Sequence, residues 1–242
     1  MMRTSDYLRA TRHPWPILVM LLPLLTTYES GVLILGGPRP ESLRNGADAW
    51  MRYALESFGL NHLIVAPATI AIVFAVWSWI RRDDRPESLL TVCSGMLLEC
   101  FLFALVLWGI SHGFAPFLDR IGVPLNSIPN VDPAVTRIIT FVGAGIYEEI
   151  LFRLILFSGL AWLLQLSSMP KAGAVVLAAA VSALLFAAAH HVGPRGEKMD
   201  SYVFLFRMMA GIYFALLFQL RGFGVAAGAH ACYDVLVGLS PS

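Results

Sequence analysis

Charge is what this sequence has least of. Only 14% of its 242 residues are Asp, Glu, Lys or Arg, against roughly 25% in soluble domains. With 57% hydrophobic residues and a mean hydropathy of +0.70, the chain reads as a polytopic membrane protein and not as a soluble core. A formal net charge of +1, with no basic run interleaved with aromatics, excludes nucleic acid as an expected partner. Cysteine is nearly absent: Cys93, Cys100 and Cys232 all lie in apolar segments. Their spacing makes neither a disulfide framework nor a zinc finger, so they read as small hydrophobes in helices. No small-residue cleavage site follows an N-terminal apolar core, and the polar start MMRTSDYLRATRH is expected to stay in place. No internal repeat is visible.

Long apolar runs are what the sequence has in abundance. A bilayer core about 30 Å thick takes about 20 residues of helix. On that measure the runs near Pro16–Leu35, Leu63–Ile80, Leu89–Ile110, Ile138–Leu166, Ala172–His190, Tyr202–Leu220 and Phe223–Leu239 are predicted spans. The expected fold class is therefore all-α, a polytopic helical membrane bundle of about seven transmembrane helices. Only Arg221 and Gly222 separate the last two spans, which predicts a tight helix–helix turn. The final span is rich in Gly and Ala, as close helix packing in a membrane requires. Asn45–Leu60 carries Trp50, Ala54 and Phe58 at helical spacing with charges between them and is expected to lie at the headgroups. Phe114–Val131 mixes Pro, Gly and apolar residues and reads as a connector or cap over the bundle. Basic residues divide almost evenly between the two sides, so the positive-inside rule is weak here. The cluster Arg81-Arg82-Asp83-Asp84-Arg85 favours a cytoplasmic N-terminus.

Against this background the stretch GIYEEILFRLILF, Gly145–Phe157, stands out. Each charged residue at a helix centre costs roughly 2.5–3.5 kcal/mol on insertion scales, so Glu148, Glu149 and Arg153 together cost about 7–10 kcal/mol. The apolar residues around them return some 4–8 kcal/mol. The segment is marginal as a lone lipid-facing helix, so its charges must pair, face the bundle or line a wet cavity. Glu149 and Arg153 are four apart on one face, acid first, and suit a helix ion pair. Glu148 points about 100° away and is not served by that pairing.

Two further groups stand at comparable depth. Glu148 and His190 are equidistant from Met169, inside the turn Ser167-Ser168-Met169-Pro170. An antiparallel hairpin puts both about 27 Å above the turn, level with one another. His191 is the competing imidazole, one step further round the helix. His230 and Asp234 are also four apart on one face, a spacing that suits a metal or a held water. His230, however, is only about 12 Å from its own turn near Gly222. It reaches Glu148 only if the Met169 hairpin protrudes or the last helix is offset. Glu29 and Glu99 are single embedded acids, and Arg207 is expected to be the counter-ion of one of them.

These residues resemble the three motifs of the CPBP family of CAAX-processing and bacteriocin-processing intramembrane proteases, which includes Rce1-like enzymes. The first matches Glu148-Glu149-Ile150-Leu151-Phe152-Arg153. The second matches Phe186 and His190, and the third His230 and Asp234. Asp234 stands where the prenyl-protein enzymes carry asparagine. The resemblance implies residues 1–133 as N-terminal helices and interfacial segments, with 134–242 as the catalytic helical core of one integral membrane unit. It implies hydrolysis of peptide bonds in membrane-associated or lipid-modified proteins or peptides. Glu148, His190, His230 and Asp234 would be catalytic, supported by Glu149, Arg153 and Phe186. Two mechanisms stay open: a water activated by Glu148 and His190, or zinc held by Glu148, His190 and His230. The zinc motif HExxH, a GxSG-type serine elbow and a GxGD aspartyl pair are all absent. A non-catalytic membrane scaffold or chaperone, and a proton-coupled transporter, are the rival functions. The expected location is a bacterial inner membrane, and the expected partners are the lipid bilayer and a membrane protein or peptide substrate.

Overall fold

Each apolar run folds as a helix because lipid offers no partner to a bare backbone amide. The computed structural model describes residues 3–60, 62–122, 134–193 and 196–239, and of 134–141 only the backbone. In chain order the helices are α1 (Thr4–Ala10), α2 (Pro14–Gly36), α3 (Gly46–Glu56), α4 (Val65–Ile80), α5 (Leu89–Arg120) and α6 (Ala134–Glu149). A π-helical segment (Ile150–Phe157) follows, then α7 (Ser158–Leu166), α8 (Lys171–Ala189), α9 (Ser201–Arg221) and α10 (Phe223–Leu239). No strand occurs among the described residues. Five helical stretches are long and apolar enough to cross a membrane: α2, α5, Val142–Leu166, α8 and α9. Helices α4 and α10, with 16 and 17 residues, are shorter apolar helices. The protein is thus an all-α, multi-pass bundle. Helix α5 runs ten residues past the predicted Ile110 and absorbs Phe114–Arg120 of the expected cap. Ile121 and Gly122 turn the chain after it, and the remainder of that cap, 123–131, lies outside the described residues.

Local chemistry sets the helix ends. The His13 ring accepts from the Trp15 amide at α2, the Asn45 side chain from the Asp48 amide at α3, and the Asp200 side chain from the Val203 amide at α9. Helix α9 stops at Gly222, whose φ of +93° suits glycine, and α10 begins at once.

Helix α10 is the axis of the bundle. Every residue from Phe223 to Ala231 is buried, between α6 on one side and α5 on the other. Small residues make this possible. A Cβ on Gly145 of α6 would come within 2.5 Å of the Ala231 backbone nitrogen. One on Gly228 would collide with Cys100 Sγ of α5. Helix α8 packs on α9, and α2 on both α4 and α6.

Helix α3 presents its polar face inward. Asp48 is fully buried, while Trp50, Tyr53 and Phe58 just beyond the helix are exposed. Asp48 accepts from Arg44 Nη1 (2.8 Å), Tyr28 Oη (2.8 Å) and Arg52 Nε (2.6 Å). Glu29 accepts from Arg52 Nη2 (2.9 Å), Arg44 Nη1 (3.2 Å) and Tyr147 Oη (2.7 Å). This network fastens α3 to α2 and α6, and leaves an apolar face turned outward, as an interfacial helix requires.

Candidate active site

The end of α6 delivers adjacent glutamates to opposite sides of one cluster. Glu149 is fully buried. Its Oε1 accepts from His230 Nδ1 at 2.8 Å, and its Oε2 lies 3.2 Å from Arg153 Nε. Arg153 is itself only 1% exposed. It lies over the rings of Phe186 (4.5 Å) and Phe214 (5.7 Å) and donates through Nη2 to the Gly211 carbonyl (3.3 Å). The expected Glu149–Arg153 pair is therefore present, and it also fixes an imidazole. With the Arg153 guanidinium on its other oxygen, Glu149 serves as the acceptor, so His230 Nδ1 is the donor and its Nε2 faces away from Glu149. The His230 ring is held flat against Phe214, with centroids 4.3 Å apart.

The π-helical segment shapes this corner. The Ser158 backbone N–H reaches back five residues to the Arg153 carbonyl, and Ser158 Oγ donates to the same oxygen at 3.0 Å. Widened turns of this kind recur at functional sites. No periodicity in the chain signals it, since its apolar residues fit an ordinary helix equally well.

Glu148 points the other way. Its Oε1 is 3.9 Å from His190 Nε2 and its Oε2 is 4.0 Å from His230 Nε2. His190 Nδ1 donates to the Phe186 carbonyl at 2.8 Å, which leaves Nε2 as the ring atom directed at Glu148. Phe186 meets the His190 ring edge-on at 5.0 Å. Asp234 Oδ2 stands 3.5 Å from His230 Nε2. The cluster opens on this side: the His190 and Asp234 side chains are 21% and 17% exposed, while Glu149 and Arg153 are sealed. Glu148, Glu149, Arg153, Phe186, His190, His230 and Asp234 thus gather in one place, from three helical stretches: Val142–Leu166, α8 with its end, and α10. Sequence reasoning did not anticipate Phe214 and Gly211, which support it from α9.

The depth mismatch of His230 closes through an offset. Phe214 and His230, equally far from Gly222, stack on one another. Phe157 meets Phe218 at 5.7 Å, so the α9–α10 turn lies near the end of the π segment. Helix α7 carries the Met169 hairpin about 13 Å farther. His191 is not part of the cluster; its Nδ1 bonds to the Glu197 carbonyl at 3.0 Å.

The expected counter-ion role of Arg207 is corrected. Arg207 pairs bidentately with Glu197, at 2.8 and 2.9 Å. Glu29 is taken by Arg44 and Arg52, and Glu99 by Arg221 at 2.5 and 2.8 Å. The acids on α2 and α5 find arginines at their own ends of the bundle, out of reach of a side chain on the first half of α9.

Zinc is poorly served by these side chains as placed. Tetrahedral bonds of 2.0–2.1 Å put neighbouring donors about 3.3–3.4 Å apart. The imidazoles here face different oxygens of Glu148 at 3.9 and 4.0 Å. No group of three or more His, Cys, Asp or Glu among the described residues is arranged to hold a metal.

No curated protein and no solved structure gives a significant match to the chain. Residues 130–236 match the sequence model of the family described as type II CAAX prenyl endopeptidase Rce1-like. That range holds both glutamates, Arg153, Phe186, both clustered histidines and Asp234. Over residues 130–236, the helical core of this multi-pass chain is thus similar to the Rce1-like type II CAAX prenyl endopeptidases.

Proposed function

We propose that the protein is an intramembrane endopeptidase that cuts membrane-associated or lipid-modified proteins or peptides, in a bacterial inner membrane, with a water activated by Glu148. One observation carries the reading. Among the described residues, Glu148 is a buried carboxylate with no hydrogen bond of its own, flanked at 3.9 and 4.0 Å by imidazole nitrogens from two other helices. Such separations exceed a hydrogen bond and suit a small polar molecule seated beside all three groups.

In this reading Glu148 takes a proton from the water as its oxygen attacks the scissile carbonyl. His190, its Nδ1–H fixed on the Phe186 carbonyl, offers Nε2 to orient that water. In its protonated form His230 presents Nε2–H to the oxyanion of the tetrahedral intermediate. Asp234 holds that side of the ring, and Glu149 with Arg153 holds the other. Glu148 then gives its proton to the departing amine as the C–N bond breaks. No step requires a metal.

N-terminal sequencing of membrane proteins cut in wild-type cells but not in Glu148→Ala cells would identify the substrates. Cleavage by purified protein should vanish in Glu148→Gln and His190→Ala variants. Undiminished cleavage in both would overturn the reading. Full complementation by variants that cannot cleave would favour a scaffold instead.

A further inference from the structure

A second concentration of polar groups lies at the opposite end of α9 from Arg207. A cleft of about 490 Å³ is lined by Leu8, Arg9, Arg12, Arg81 and Leu220. Leu220 stands roughly nine residues, about 13 Å of helix, beyond the Gly211 carbonyl that supports the candidate active site. Three elements each contribute one guanidinium: Arg9 from the last turn of α1, Arg12 from the link to α2, and Arg81 from the residue after α4.

Two of these arginines are already anchored. Arg12 Nη2 donates to the Gln219 and Leu220 carbonyls, at 2.8 and 2.7 Å, and so caps the end of α9. The Arg81 carbonyl accepts from His13 Nε2 at 2.9 Å, and its guanidinium holds Asp84. Arg9 has no acid or carbonyl partner among the described residues. The cleft therefore sets three cations against one carboxylate, Asp84, which is exposed. Its remaining lining is apolar and open, with Leu8 41% and Leu220 64% exposed. Nearby, Arg85 and Arg82 lie over the rings of Trp15 (4.8 Å) and Trp79 (5.1 Å). Tryptophan marks the headgroup level of a bilayer.

We propose that this cleft binds the phosphate of an anionic phospholipid headgroup, with the acyl chains lying along Leu8 and Leu220. The planar guanidinium fork pairs two phosphate oxygens at once. Basic pockets between spans recruit anionic headgroups on the cytoplasmic side, the side assigned to this end by the arginine cluster. A free phosphate would share the cations but make no use of the apolar rim. A lipid seated here ties α1, the end of α4 and the end of α9 together.

The full chain, purified in detergent, is titrated with short-chain phosphatidylglycerol, short-chain phosphatidylcholine and inorganic phosphate. Bound mass by native mass spectrometry and the shift in Tm are the readouts. Phosphatidylglycerol should bind and raise Tm, and the other two should not. Arg9→Glu should weaken phosphatidylglycerol about tenfold or more, and Arg81→Gln about fivefold. Arg9→Gln serves where the reversal fails to fold. Equal binding of the two lipids, or an affinity unchanged by every Arg9 substitution, would overturn the proposal. Inorganic phosphate binding as tightly as phosphatidylglycerol would overturn the lipid assignment in favour of a free anion.

Discussion

Two buried polar clusters flank the end of α6, and they are built in opposite ways. Around Glu29 and Asp48, all four carboxylate oxygens are occupied by donors at 2.6 to 3.2 Å, from two arginines and two tyrosines. Around Glu148 the nearest imidazole nitrogens stand at 3.9 and 4.0 Å. A network whose acceptor oxygens are all filled gains rigidity. An unsaturated carboxylate beside two imidazoles is poised to accept something else. Adjacent side chains on one helix thus serve opposite ends, with Tyr147 facing the closed cluster and Glu148 the open one.

Substitutions test that contrast directly. Glu148→Gln should lower cleavage by about 10²–10⁴-fold with little change in stability, which kinetics and thermal melts on one preparation would check. Asp48→Asn should do the reverse. It strands Arg44 and Arg52 beside one fewer charge and should cost about 3–5 kcal/mol in unfolding free energy, with the surviving folded fraction near wild-type specific activity. Tyr147→Phe removes one donor from Glu29 and should cost about 1–2 kcal/mol. A large loss of cleavage in that variant would show that the two clusters are coupled through α6. The exposed Glu197–Arg207 pair gives a milder reference. Burial raises the Glu197 carboxyl, but the hydrogen bonds and charge of Arg207 outweigh it and hold it below the usual carboxylate range. Stability from a depressed carboxyl is present above the unfolded value near 4.3 and is lost as pH falls through the lower folded value. Hydrogen exchange in 196–207 should accelerate below about pH 4 in the wild type, and Glu197→Gln should abolish that step. Incubation with a zinc chelator should leave cleavage unchanged, and loss of activity restored by zinc would reopen the metal route.

Much of this was legible in the chain. Runs of apolar residues announce the helices because lipid enforces them. The i,i+4 spacings of Glu149–Arg153 and His230–Asp234 translate directly into shared faces. The symmetry of Glu148 and His190 about Met169 anticipated their approach. What escaped was the pairing of long side chains across the fold. Arg44, Arg52 and Arg221 meet acids 15, 23 and 122 residues away, and no periodicity encodes such matches. Helix α3 was read correctly as amphipathic, yet its inward polar face depends on Glu29 and Tyr28, which only the tertiary fold supplies.

The widened turn between Ile150 and Phe157 has a consequence for comparing relatives. A π turn uses more residues per revolution than an α turn. A relative that replaced it with regular helix would need a shorter sequence to cover the same arc. Alignments that forbid a gap between the paired glutamates and the Met169 hairpin would then pair residues from different helix faces. A deletion of Ile150, Leu151 or Phe152, which looks harmless on paper, should shorten the Glu149–Arg153 spacing from i,i+4 to i,i+3 and turn Arg153 by about 100° from the carboxylate it steadies.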